Sequence, residues 1–275
     1  MTLSDGLKIG LFCLFGGLCF TLGAMGTGHF AWWWISGVLM TASLVPVLRF
    51  GPRNVFAQFG AIALVLVVVG LGCTLSEGVV FFPEMKAQMV KSFGGGTVAY
   101  LLAAAVLVAL AKVMRLGGAS EQVIKPHSSA MTVPLFVLAG ISYVVYYEIF
   151  GAIAYQYFTK QYYPHAVDQV NAMGPWLFIG YQLARGLLMT LAVLPVIYTL
   201  RLPRWQAALA VGFMVWIVGG GAPLLVPSQM MIATQRYIHI VEIMTQNVSL
   251  GMTAVWLLRG KAGAAVSSRQ VLHTV

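Results

Sequence analysis

Eight long apolar segments, separated by short connections, dominate the pattern of hydrophobic and polar positions along the chain. They lie at about 7–26, 29–49, 55–80, 97–115, 132–156, 174–200, 205–226 and 237–258. At about 1.5 Å per residue, a helix of about 20 residues crosses the hydrocarbon core of a bilayer. No segment alternates apolar and polar residues as a half-buried strand does. The pattern predicts an all-α, polytopic transmembrane helix bundle with eight spans.

The composition agrees with a membrane protein. Of the 275 residues, 60% are hydrophobic and 8% are charged, whereas soluble domains average about 25% charged residues. These values exclude an ordinary soluble domain, and the long apolar runs exclude a disordered chain. Lys8 precedes the first apolar segment, as in a secretory signal peptide, but no clear cleavage site follows it. We therefore expect the first segment to remain a membrane helix.

The net charge of +9 is explained by orientation in the bilayer. Alternate connections carry most of the basic residues, namely Lys8, Arg49, Arg53, Lys112, Arg115, Lys125, Arg201, Arg204, Arg259, Lys261 and Arg269. The other connections carry only Lys86, Lys91, Lys160 and Arg236. Because basic loops stay inside, this asymmetry predicts a bacterial inner-membrane protein with both termini in the cytoplasm. The lipid bilayer is then the partner of the basic residues, and no nucleic acid is expected.

A weak internal repeat suggests two halves. A Leu/Val/Pro run followed by Pro-Arg occurs at 44–53 and again at 194–204. Such short matches also arise by chance in so apolar a chain, but two parallel four-helix repeats are one interpretation. The expected organisation is a first half at 1–118, a cytoplasmic linker at 119–131, a second half at 132–260 and a cytoplasmic tail at 261–275.

Two connections on the predicted outer side are longer than the others. Residues 82–96 predict a short interfacial helix that ends at the glycines of 94–96, which we expect to form a flexible turn. Residues 157–173 are aromatic and polar. Long connections on one face are typical of contact with a ligand or a protein partner.

Ionisable residues inside the spans are the main candidates for function, because such groups are expensive in a bilayer. They are Glu77, Glu148, Arg185, His239 and Glu242. Glu148 and Arg185 lie at overlapping depths in the fifth and sixth segments, which predicts an ion pair between them. We expect Glu148 to be a titrating group and Arg185 to be its partner or an anchor for an anionic ligand.

A polar stripe runs along the eighth segment. Its members recur at steps of three and four residues, which places them on one helical face: Gln235, His239, Glu242, Gln246, Ser249 and Thr253. Lipid does not tolerate such a face, so it must point into the bundle or into a cavity. The alternative interpretation of the stripe is hydrogen-bonded packing between helices.

The seventh segment contains the helix-breaking run Gly-Gly-Gly-Ala-Pro at 219–223. Interrupted helices are typical of binding sites in transporters. Together with the ionisable residues, the interruption predicts an outward-facing polar pocket between the third, fifth, sixth, seventh and eighth segments. The candidate ligand-binding or proton-coupling residues are Glu148, Arg185, Glu242, His239, Glu77, Gln182, Tyr181, Gln246 and Tyr147.

Three classes of function remain open. The first is a transporter or membrane binding protein for a small organic or amphipathic molecule, anionic if Arg185 anchors it, with proton coupling as a further expectation. The second is an accessory or scaffold subunit with a membrane or periplasmic protein partner. The third is a membrane-embedded metal-dependent enzyme, since His239 and Glu242 could both be ligands.

Structural interpretations compete with each of these assignments. Glu77 and Glu242 are close enough to the outer boundary to reach the interface, and the pairing of Glu148 with Arg185 could serve helix register alone. The cysteines, Cys13, Cys19 and Cys73, lie in apolar segments without a Cys-x-x-Cys pair. We predict no disulfide, no metal site, no cofactor and no catalytic residue.

Overall fold

The computed structural model describes residues 3–24, 28–82, 86–117, 128–162, 166–228 and 231–260. Within these ranges the fold is entirely helical, without a β-strand. The described ranges contain ten α-helices: α1 (Leu3–Gly17), α2 (Phe30–Phe50), α3 (Val55–Leu64), α4 (Thr74–Phe81), α5 (Lys86–Val113), α6 (Ser129–Ala154), α7 (Ala166–Met173), α8 (Pro175–Thr199), α9 (Arg204–Trp216) and α10 (Ala233–Leu258). The expected cytoplasmic tail at 261–275 and most of the expected linker lie outside the described residues.

In the part of the chain that the structure describes, seven stretches are long and apolar enough to cross a membrane, which indicates a multi-pass membrane protein. They are Ser4–Leu22, Phe30–Phe50, Val55–Phe81, Lys86–Val113, Ala130–Thr159, Pro175–Thr199 and Arg204–Leu225. They correspond to the first seven predicted segments. The 26-residue helix α10 is long enough to be an eighth span, but its polar stripe makes it less apolar than the others. Its crossing, like the division into two halves, stays a prediction.

The fourth span differs from its prediction. Instead of a separate interfacial helix that ends at 94–96, α5 runs without a break from Lys86 through the glycines to Val113. The close approach of the third span explains why position 96 is a glycine, because a Cβ at Gly96 would lie 2.9 Å from the Leu71 side chain. The prediction of a flexible turn at the glycines was therefore wrong.

Three stretches of the spans are π-helical rather than α-helical: Val65–Cys73, Tyr155–Thr159 and Ile217–Gly221. The last is the interruption predicted from the glycine run. Gly220 has φ of 151°, a conformation that an L side chain rarely adopts, and a 3₁₀ turn at Pro223–Leu225 follows. Such wide turns leave the regular hydrogen-bond ladder and are frequent at functional sites.

Close helix contacts through small residues hold the bundle together. Helix α10 packs against α9 and α6, and α6 packs against α8. A Cβ at Gly251 would lie 2.6 Å from the Cα of Gly212, and a Cβ at Gly186 would lie 2.7 Å from the carbonyl oxygen of Gly140. Small residues allow backbones to approach closely, which is a main source of helix association in membranes. The second contact fixes α8 against α6 directly beside Arg185.

Candidate functional site

A cavity of about 480 Å³ lies at the end of the bundle that carries the connections after α4, α6 and the seventh span. This is the end predicted to face outward. Its wall is formed by α4, α6, α8, α10 and the interrupted stretch after α9, with Met89 of α5 and Val170 of α7 as further contributors. The volume falls within the range of small-molecule sites.

The wall of the cavity is more apolar than the predicted polar pocket. Most of it consists of aliphatic and aromatic side chains, among them Phe81, Phe82, Tyr155, Phe178 and Ile179. Polar groups form a minority at defined positions, which is typical of sites for organic molecules. The expectation of a mainly polar pocket is therefore corrected to an amphipathic one.

Helix α6 contributes one face to the cavity. Glu148, Ala152 and, at the start of the π-helical continuation, Tyr155 line it at steps of four and three residues, with Gly151 next to Ala152 on the same side. Gly151 lies opposite α10, since a Cβ there would be 3.7 Å from Oε1 of Glu242 and 3.7 Å from Nε2 of Gln246. Glu148 therefore lies one helical turn from the position that faces Glu242.

The main ion pair of the site joins α8 to α4. Nη2 of Arg185 donates to Oε2 of Glu77 at 2.7 Å, and the hydroxyl of Tyr147 donates to Oε1 of the same carboxylate at 3.1 Å. The predicted pair of Arg185 with Glu148 was wrong. Glu148 lies on an exposed side of α6. The guanidinium of Arg185 points instead toward α4, where it contacts the carboxylate of Glu77.

Arg185 is enclosed by protein and does not line the cavity. The residue is only 6% exposed, and its Nη1 donates to Oε1 of Gln182 at 2.9 Å. Its guanidinium carbon lies 5.6–5.8 Å from the ring centres of Tyr143, Tyr147 and Tyr181, within the range of cation–π attraction. The proposed role of Arg185 as an anchor for an anionic ligand thus loses its basis.

The polar stripe of α10 divides into two parts. Toward the cavity, Nδ1 of His239 lies 3.0 Å from Oε2 of Glu242, and Nε2 of Gln246 donates weakly to Oε1 of Glu242 at 3.5 Å. Farther along the helix, Thr253 shares a 2.8 Å hydrogen bond with the hydroxyl of Tyr146 on α6. One part of the stripe thus faces the cavity, and the other bonds two helices together.

The nine predicted site residues all belong to this region but differ in position. Five line the cavity: Glu77, Tyr147, Glu148, His239 and Glu242. Four stand behind its wall and support it: Tyr181, Gln182, Arg185 and Gln246. Tyr181 acts through Ser76, to which its hydroxyl donates at 3.0 Å.

Sequence reasoning missed the aromatic part of the wall and the small residue at its centre. Phe81 and Phe178, whose rings meet edge to face at 6.4 Å, look in the sequence like ordinary aromatic residues near a membrane boundary. Gly151 carries no chemical signal of its own. Its spacing of three from Glu148 was the one available indication that it shares a face with a candidate residue.

A metal site gains no support from this geometry. In the part of the chain that the structure describes, no group of three or more histidine, cysteine, aspartate or glutamate side chains could hold a metal ion. His239 and Glu242 bond to each other instead. The alternative of a metal-dependent membrane enzyme therefore has no ligand set among the described residues.

Comparisons with known proteins do not add a function. No protein-family model matches the chain, and neither a curated protein nor a solved structure is significantly similar to it. Any function must therefore be inferred from the geometry of the site.

The Arg185–Glu77 pair predicts a specific thermodynamic coupling. Arg185→Gln and Glu77→Gln should each cost about 3–5 kcal/mol, because each leaves a buried charge without its partner. The double variant should be more stable than the sum of the two losses predicts, by at least about 1 kcal/mol. The free energy of unfolding in mixed micelles, measured by denaturing-detergent titration, gives the three values.

Glu148→Gln serves as the control for this cycle. Combined with Arg185→Gln, it should give additive losses, because Glu77 and not Glu148 forms the ion pair with Arg185. Coupling of Arg185 to Glu148 with additivity toward Glu77 would contradict the observed pairing.

Proposed function

We propose that the protein is a membrane transporter or membrane binding protein that receives a small amphipathic organic molecule in this cavity. The observation that carries the proposal is the cavity itself, a partly open space of about 480 Å³ lined mainly by apolar and aromatic side chains, with carboxylates on its wall. Its volume and its mixture of an apolar lining with a few polar groups are those of sites for small organic molecules.

The irregular backbone beside the cavity supports binding. Gly219 and Gly220 contribute to the wall at the point where the seventh span loses its regular helix. Non-helical backbone at membrane depth is tolerated where it lines a cavity or is buried in protein. Broken helices at the site are a recurrent feature of secondary transporters.

Proton exchange is part of the proposal. Glu148 lies about three helical turns, or roughly 16 Å, from the end of the fifth span at Thr159. A charged carboxylate at such a depth is costly unless it is paired or protonated. We therefore assign Glu148 as the group that takes or releases a proton as ligand leaves or enters, with His239 and Glu242 as its neighbours in the same cavity.

The membrane orientation is proposed on the loop charges. Basic connections on one side and the cavity on the other support an inner-membrane protein with cytoplasmic termini and an outward-facing site. This orientation requires α10 to be an eighth span.

A pair of reporters tests the orientation. In bacteria, a fluorescent protein fused after residue 275 should be bright, and alkaline phosphatase fused at the same position should be inactive, because the C-terminus stays in the cytoplasm. The reverse pattern would contradict both the eighth span and the assigned orientation. Alkaline phosphatase fused after residue 228, in the connection before α10, should be active and is the positive control.

A cavity-filling variant tests ligand binding. Gly151→Phe should abolish binding, because the new side chain enters the cavity from α6, where the nearest atoms would lie 3.7 Å from its Cβ. Gly180→Phe is the matched control, since a Cβ at Gly180 meets nothing within 4 Å and the residue is exposed on α8. The assay is the shift in melting temperature of the nanodisc-embedded protein with a panel of small aryl-alkyl amphiphiles.

The expected result is stabilisation of the wild type and of Gly180→Phe by at least one amphiphile, and none for Gly151→Phe. Stabilisation follows from mass action when a ligand binds only the folded state. If no amphiphile stabilises the wild type, or if Gly151→Phe responds like the wild type, the cavity is not a binding site. An accessory-subunit role would then be the better hypothesis.

A further inference from the structure

The charged side chains on the cavity wall are predominantly acidic. Glu77, Glu148 and Glu242 line it, and His239 is the one basic side chain among the described lining residues. No lysine or arginine in the described part of the chain reaches the wall. The carboxylates on the described wall thus outnumber its basic side chains by three to one.

Two of the three carboxylates already have partners. Glu77 is held by Arg185 at 2.7 Å, and Glu242 lies 3.0 Å from His239. Glu148 differs, because within the described ranges it forms no ion pair and no hydrogen bond with another side chain. Among the described residues, Glu148 is thus the cavity carboxylate without a side-chain partner.

The aromatic residues of the wall complement a positive charge. Phe81, Phe82, Tyr147, Tyr155 and Phe178 surround the cavity, and aromatic faces attract ammonium groups, most strongly where water is excluded. The rings of Tyr143, Tyr147 and Tyr181 already contact the guanidinium of Arg185 behind the wall, so the aromatic side chains open to a ligand are chiefly Phe81, Phe82, Tyr155 and Phe178. The same rings and the aliphatic residues would contact the apolar body of a ligand.

We propose that the cavity selects amphipathic molecules with a single positive charge, such as protonated aryl-alkyl amines or quaternary ammonium compounds. The cationic head lies at Glu148, and the apolar body lies among the phenylalanines. This inference rests on the proposed binding function and adds the charge of the ligand to it. It also replaces the expectation of an anionic ligand, which depended on Arg185.

A series of ligands of matched size separates charge from shape. The probes are 4-phenylbutylamine, its trimethylammonium analogue, 4-phenylbutanol and 4-phenylbutyrate. Dissociation constants are measured with the full-length protein in nanodiscs of zwitterionic phosphatidylcholine, where no lipid charge concentrates the cations. Both cations should bind at least about tenfold tighter than the alcohol, equivalent to about 1.4 kcal/mol, and the carboxylate should bind most weakly.

Two substitutions of Glu148 test the counter-charge. Glu148→Gln should lower the affinity for both cations to that of the alcohol, while affinity for 4-phenylbutanol changes by less than about twofold because the apolar contacts remain. Retained binding of the alcohol shows that the variant is folded. Glu148→Asp keeps the charge and should keep a preference for cations.

The outcomes distinguish this inference from the proposed function. If the alcohol or the carboxylate binds as tightly as the amine and Gly151→Phe removes that binding, the cavity binds amphiphiles and the charge inference is wrong. A cation preference that survives in Glu148→Gln also overturns the assignment of Glu148. If none of the four probes binds the wild type, both proposals fail together.

Discussion

The buried ion pair between Arg185 on α8 and Glu77 on α4 is the interaction on which the rest of the site depends. A guanidinium within a membrane-spanning bundle is costly without a compensating charge and hydrogen bonds. Glu77, Gln182 and the surrounding tyrosine rings supply that compensation. Because the partners come from two spans, the requirement to neutralise Arg185 holds α4 against α8 at one depth.

This pairing determines what the cavity can recognise. Arg185 stays behind the wall and pairs with Glu77, whereas Glu148 and Glu242 line the cavity without a lysine or arginine partner among the described residues. Tyr147 connects the pair to the cavity, because its hydroxyl bonds Glu77 while its residue lines the space. The close Gly140–Gly186 contact holds α6 against α8 beside Arg185, and the interruption at Gly220 lets α10 approach the seventh span through Ile243.

The sequence predicts where the helices of this structure begin and end better than it predicts which face each helix turns toward its neighbours. Apolar runs locate the seven spans, and the glycine run locates the break, because both depend on local composition. The partner of Arg185 is not predictable in this way, since the distance of a residue from the end of its segment gives its depth but not the direction in which it points. The π-helical stretch Val65–Cys73 adds to the difficulty, because its wider turns rotate Glu77 away from the face that an α-helical count assigns.

Two further features escape sequence reasoning for related reasons. The glycines at 94–96 look like a turn, yet α5 continues through them, and the close approach of Leu71 on the third span accounts for the small residue at Gly96. The aromatic wall formed by Phe81 and Phe178 requires two spans to meet, and no pattern within either span indicates that contact.

The most direct test of a cationic ligand within the cavity is photolabelling by a diazirine analogue of 4-phenylbutylamine in nanodiscs, read out by mass spectrometry. The two faces of α6 provide an internal control, because Tyr147, Gly151 and Tyr155 line the cavity whereas Ile149 and Ile153 are exposed on the surface. We predict label on the cavity face, reduced by excess unlabelled amine and absent in Gly151→Phe. Label confined to Ile149 and Ile153, unaffected by the competitor, would show that the amine only dissolves in the surrounding lipid and would contradict a binding site in the cavity.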